Sequence, residues 1–172
     1  MRRSVSLLIV AALMLTATQA IARGQSEQAE ARQATARFHR VGHSEAAGYS
    51  STLNTLGCFE NSGVGGMGLH YLNGSILDGV PEADAPEALV YEMRPNGKLK
   101  LVALEYIVPI DAWDGEMPPS LFGRHFHQHP TLPLWVLHAW VWKPNPAGMF
   151  QDWNPNVGLC PDDVPIFGID LP

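Results

Sequence analysis

From Met67 onward the chain is written in short apolar runs, each cut off within a few residues by Gly, Pro or Asn, and that punctuation suits strands and leaves no room for a second long helix. Strands rich in Val, Leu, Tyr and Trp are expected over 67–72, 88–93, 98–108 and 134–142. Asn96-Gly97 separates the second run from the third. This dipeptide suits the left-handed backbone of a tight hairpin, so those two strands should be antiparallel neighbours. Ahead of them, residues 25–49 are rich in Ala, Glu, Gln and Arg, with Ala34, Phe38 and Val41 at helical spacing and Gly48 near the end, which predicts one helix. A helix followed by a run of strands gives an α+β class, an N-terminal helix packed on a small antiparallel sheet. Residues 109–133 are expected to form a long loop and the Pro-rich stretch from Lys143 an irregular tail, and loops of such length usually carry function or need pinning.

The first residues have a different character. Arg2-Arg3 precede an apolar run over 5–15 that ends in the small-residue step Ala20-Ile21-Ala22, the pattern of a secretory signal peptide occupying residues 1–22. One globular domain is then expected over 23–172, of a length that a single core serves. No later run approaches the ~20 apolar residues of a membrane span. Eleven basic residues less Arg2 and Arg3, set against seventeen acidic ones, leave the mature chain a net charge of −8, which disfavours nucleic acid as a partner. Cys58 and Cys160 are the two cysteines, and in an exported chain they are expected to pair. All this places the protein in the periplasm or outside the cell.

Three polar residues stand out on the apolar runs: His70 in Met-Gly-Leu-His-Tyr, Glu105 in Leu-Val-Ala-Leu-Glu-Tyr, and His138 in Leu-Trp-Val-Leu-His-Ala-Trp-Val-Trp. Burying such groups costs several kcal/mol unless each finds a partner, and a shared metal ion or shared proton supplies one. Two imidazoles and a carboxylate are also a common ligand set for divalent metals such as Zn, Cu or Fe. By strand alternation His138 shares a face with Leu134, Val136, Trp140 and Trp142, while Glu105 shares one with Leu99, Leu101, Ala103 and Ile107. For any one of these residues alone, a core His on a backbone carbonyl or a Glu paired with Arg is the commoner arrangement.

Several stretches together resemble a family of uncharacterised exported bacterial proteins: Ala-Ala-Gly-Tyr at the helix end, Gly-Gly-Met-Gly-Leu-His-Tyr, Pro86-Glu87-Ala-Leu-Val-Tyr91, Leu-Val-Ala-Leu-Glu-Tyr, Leu-His-Ala-Trp-Val-Trp, and Asn145-Pro-Ala-Gly-Met-Phe-Gln-Asp-Trp-Asn-Pro-Asn-Val before Cys160. The resemblance spans about Ala34 to Cys160 and brings no settled activity. It implies that His70, Glu87, Glu105, His138 and both cysteines belong to the group's motifs, whereas the other five histidines do not. Glu87 and Tyr91 are candidates to support the site.

His39 and His43, four apart on the expected helix, would share a face at chelating distance. Arg40 occupies the place where a zinc protease needs Glu, so that chemistry is unsupported. His125, His127 and His129 alternate in the long loop and, if extended, would put three imidazoles on one side as a secondary metal site. A His-brace copper site is disfavoured because the expected mature terminus is Arg23. Gly63-Val-Gly65-Gly66-Met-Gly68 is read as a flexible turn feeding the His70 strand, since no strand leads into it and no helix follows as a phosphate loop requires. No Gly-x-Ser-x-Gly elbow is present. Trp135, Trp140, Trp142, Trp153, Phe150 and Tyr106 are expected to be core more than pocket, and Asp152 to bond backbone in a turn.

Two function classes stay open. In one, an exported, soluble metal-binding protein holds a divalent ion on His70, Glu105 and His138, and as a metalloenzyme would use Glu105 and His70 in catalysis on a small molecule. The other is a non-catalytic small-ligand-binding domain with a buried His/Glu hydrogen-bond network. A metal-free acid–base enzyme, with His70 moving the proton, lies between them.

Overall fold

The computed structural model describes residues 21–162 and 164–168, together with Gln19. The expected signal segment therefore lies almost wholly outside the described residues. Helix α1 covers 21–35 and tightens into a 3-10 turn at Ala36–His39; after Arg40, in extended backbone, a short helix α2 runs over Val41–Ala46. The expected single helix over 25–49 is thus interrupted near its end. Thr35 turns its hydroxyl back onto the Ala31 carbonyl, and the Tyr91 hydroxyl donates to the carbonyl of Phe38, so the freed carbonyls of the helix end are satisfied without further helix.

The strands are β1 (Ser50–Ser51), β2 (Cys58–Asn61), β3 (Gly65–Leu72), β4 (Ala88–Met93), β5 (Leu99–Pro109), β6 (Ser120–Leu121), β7 (Arg124–His125), β8 (His127–Gln128), β9 (Leu134–Ala139) and β10 (Ile166–Gly168). The main sheet has the order β10-β2-β3-β4-β5-β9-β8, with β1 on β3; every pairing is antiparallel except that of β10 with β2. β6 and β7 form a separate hairpin. The four expected strands are present within two residues at most ends, but β9 stops at Ala139, short of Trp142. The expected long loop is partly structured, since it carries the small hairpin and β8, and the tail supplies β10.

At the β4–β5 hairpin, Gly97 donates to the Arg94 carbonyl and Arg94 to that of Lys98, and Gly97 alone takes a positive φ, 72°. This is a three-residue loop with Pro95 setting the first turn position, rather than the two-residue turn that needs both Asn and Gly left-handed.

One sheet face lies under the helices. Leu69, Tyr71, Leu89, Tyr91, Leu104, Tyr106, Leu137 and Ala139 form its core with Ala31 and Phe38. A bulge in the β4–β5 ladder at Val102 shifts the alternation, so Leu99 and Leu101 join this helix-side core while Ala103, Glu105 and Ile107 face the other way. The expected common face of Leu99, Leu101 and Glu105 is corrected accordingly. Trp142 likewise leaves the His138 face: the chain bends after Trp140, and the Trp142 indole donates to Thr35 in the helix. The opposite face is covered by the tail, whose Val157 packs on Val90, Val102 and Trp140.

The tail is pinned by the disulfide between Cys58 and Cys160. The glycine-rich stretch begins with the expected turn, since Gly63, with φ 82°, lies between β2 and β3; contrary to expectation a strand, β2, leads into it. Gly65 to Gly68 open β3 itself, and a Cβ on Gly65 would stand 2.5 Å from the Asn154 backbone, one on Gly68 2.4 Å from the Tyr91 carbonyl. These glycines let the tail and β4 approach β3 closely. No helix among the described residues is long and apolar enough to cross a membrane.

Candidate metal centre

β9 pairs with β5 so that His138 stands directly opposite Glu105, and β5 pairs with β4 so that Glu105 faces Ala88. β3 lies on the far side of β4, with His70 opposite Val90. His70 and Glu105 are therefore separated by a whole strand, and they meet because the intervening side chain beside Glu105 is only a methyl group. The His70 Nε2 to Glu105 Oε2 distance is 3.3 Å, and His138 Nδ1 is 3.9 Å from Glu105 Oε1. One donor atom from each of the three residues falls within 4.8 Å of the other two, and all three residues are buried. Two donors bound to one metal at tetrahedral angles stand about 3.4 Å apart, so an inward shift of about an ångström would close the shell. His70, Glu105 and His138 are the described residues that could hold a metal ion.

Sequence reasoning misplaced Asp152, which it assigned to a backbone turn. The tail carries it over the open sheet face, where Oδ1 lies 3.3 Å from His138 Nδ1 and Oδ2 3.1 Å from His127 Nε2. The contact with His138 is close but not aligned as a hydrogen bond, so both nitrogens of His138, Nδ1 of His70 and Oδ1 of Asp152 are buried without a hydrogen-bond partner. For His138, 2% exposed, that is a costly state. The one sequence signal for Asp152 was its place among aromatic residues and prolines in the tail motif.

Burial, with His138 and His129 adding to it, pushes His70 down to about 3, so its imidazole is neutral and keeps a lone pair for a Lewis acid. Burial raises Glu105 against the pull of His138. For His138 burial works to lower the value, but Glu105 and Asp152 outweigh it and the net shift is upward. Asp152 is resisted by burial yet held well below the usual carboxylate range by His127 and His138.

Beside the cluster lies a cavity of about 370 Å³ with walls that include Phe59, Met67, Leu72, Leu77, Leu134 and Val136. His127 and His129 line it. His129 accepts from the backbone of Thr131 and Leu132, which fixes its ring. His125 is parted from them: it sits on the β6–β7 hairpin, exposed, near the Pro118 carbonyl, while Phe126 enters the core. The three loop imidazoles therefore do not form one secondary site. His39 packs edge-on against Trp142 and His43 lies near the Arg37 carbonyl; the break at Arg40 removes the shared helical face that chelation required.

Glu87 and Tyr91 do not line the cavity. Glu87 accepts from the Ile107 backbone, and Tyr91 belongs to the helix-side core, so both are engaged by other partners. Of the six aromatics weighed as pocket walls, Trp153 alone lines this cavity. Comparison with protein-family models, curated proteins and solved structures finds no match to this chain.

Proposed function

We propose that this is an exported metal-binding protein in which His70, Glu105 and His138 hold a divalent ion, with Zn, Cu and Fe the metals the donor set suits. The observation that carries the reading is the pair of unpartnered ring nitrogens on a fully buried His138 beside a buried carboxylate and a neutral His70. A metal ion would take one lone pair from each imidazole and add positive charge beside the buried Glu105. Asp152 Oδ1 rests against the same ring nitrogen, Nδ1 of His138, that faces Glu105, so it would stand beside the ion as a further carboxylate. The adjoining cavity leaves a coordination position for water or a small molecule, and a bound ion there would polarise a carbonyl or acidify water, the basis for reading the protein as a metalloenzyme. Export rests on the leader-like first residues, on the disulfide and on the resemblance to exported bacterial proteins.

A second reading, a binding domain with a metal-free His/Glu network, draws on the unbroken alternation of His127, Asp152, His138, Glu105 and His70. Elemental analysis of untagged protein separates the two. Under the metal reading, native protein carries close to one ion per chain, and His138→Ala and Glu105→Ala each lose it. Protein that is isolated metal-free and takes up none on incubation with Zn, Cu or Fe leaves the network reading.

A further inference from the structure

We infer that the cavity beside the cluster receives a neutral, largely apolar small molecule that points a single oxygen donor at His70, Glu105 and His138. The head contact rests on the metal reading; the choice of a neutral ligand rests on the cavity itself. At about 370 Å³ the space lies at the small end of the roughly 300–1,000 Å³ typical of small-molecule pockets. Among its described lining residues there is no Lys or Arg to pair an anion, whereas two carboxylates, Glu105 and Asp152, face it. A divalent ion balanced by those carboxylates leaves a centre without net charge. An anionic ligand would then bring an uncompensated charge between Phe59, Leu72, Leu77 and Val136, and a cationic one would do the same. A ketone, alcohol or ester head carries a lone pair into the site and leaves its hydrocarbon body on the apolar walls.

The test uses two probes of nearly equal shape, 2-acetylnaphthalene and 2-naphthoate, titrated calorimetrically into zinc-incubated protein whose metal content is measured in parallel. The ketone is expected to bind at least tenfold more tightly than the carboxylate. Asp152→Asn, which removes one of the facing charges with little change of shape, should narrow that preference several-fold. Equal or tighter binding of 2-naphthoate, no binding of either probe, or a preference that Asp152→Asn leaves unchanged overturns the inference. A chain that takes up no zinc yet still prefers the ketone contradicts the metal reading alone, because Glu105 and Asp152 face the cavity with or without the ion.

Discussion

Ala88 is small where size decides the chemistry. It sits on β4 between Leu72 of β3 and Glu105 of β5, and any larger side chain there would fill the gap through which His70 reaches Glu105. Its neighbour Glu87 points elsewhere and has a separate role. Buried at 1% exposure, its carboxyl is pushed up from 4.5 to about 8 by burial, partly offset by the Ile107 amide it accepts from. A folded-state value above the unfolded one means that the protonated form favours the native state. The contribution is therefore complete below pH 4.5 and is lost as pH rises through 8, with a slope of up to about 1.4 kcal/mol per pH unit. Glu87→Gln keeps an acceptor for Ile107 and cannot ionise. Calorimetry should find it close to the parent at pH 5 and higher melting at pH 8, and an equal loss at both pH values would contradict this account. His70, Glu105 and His138 were legible as residues because polar groups on apolar strands are conspicuous. Asp152 was not, because its partners come together only when the tail folds over the sheet.

At the scale of elements, period-two patterning between turn signals located β3, β4, β5 and β9, the four strands that build the site and its floor. What the pattern could not carry was each interruption of it. The bulge at Val102 moves Leu99 and Leu101 to the helix side without any unusual residue to announce it, since Val and Ala are ordinary strand residues. The bend after Trp140 likewise leaves an apolar run that reads as continuous strand while Trp142 turns to meet Thr35. The two-residue pieces β6, β7 and β8 are too short for any periodic signal, yet β8 is what brings His127 to Asp152. The helix stayed legible up to Thr35. Its break came from tertiary partners, chiefly the Tyr91 hydroxyl on the Phe38 carbonyl.

For the molecule as a whole, the disulfide is one of the ties that hold the tail over the site, beside the Gly66–Asn154 bridge and the packing of Val157. Cys58 and Cys160 are 102 residues apart, and the tail between Pro144 and Cys160 carries Asp152, Asn154 and Val157 onto the sheet. Closing a loop of that length is worth about 4–5 kcal/mol in the chain-entropy model. At roughly 2–4 °C per kcal/mol for a domain of this size, reduction should lower the melting temperature by roughly 8–20 °C. A fall of less than about 3 °C would mean that the tail is held by its other contacts. The α+β class and the pairing of the two cysteines could be read before any coordinates, whereas the direction in which the tail returned could not, because it depends on glycines in β3 whose missing side chains admit the Asn154 backbone.

The central claim is that two imidazoles from β3 and β9 and a carboxylate from β5 share one ion. X-ray absorption at the zinc edge of the stoichiometrically loaded native protein tests it most directly. The account predicts a shell of nitrogen and oxygen donors at about 2.0–2.1 Å with the outer-shell scattering of two imidazoles. A shell of oxygen alone, or an imidazole count other than two, would contradict it.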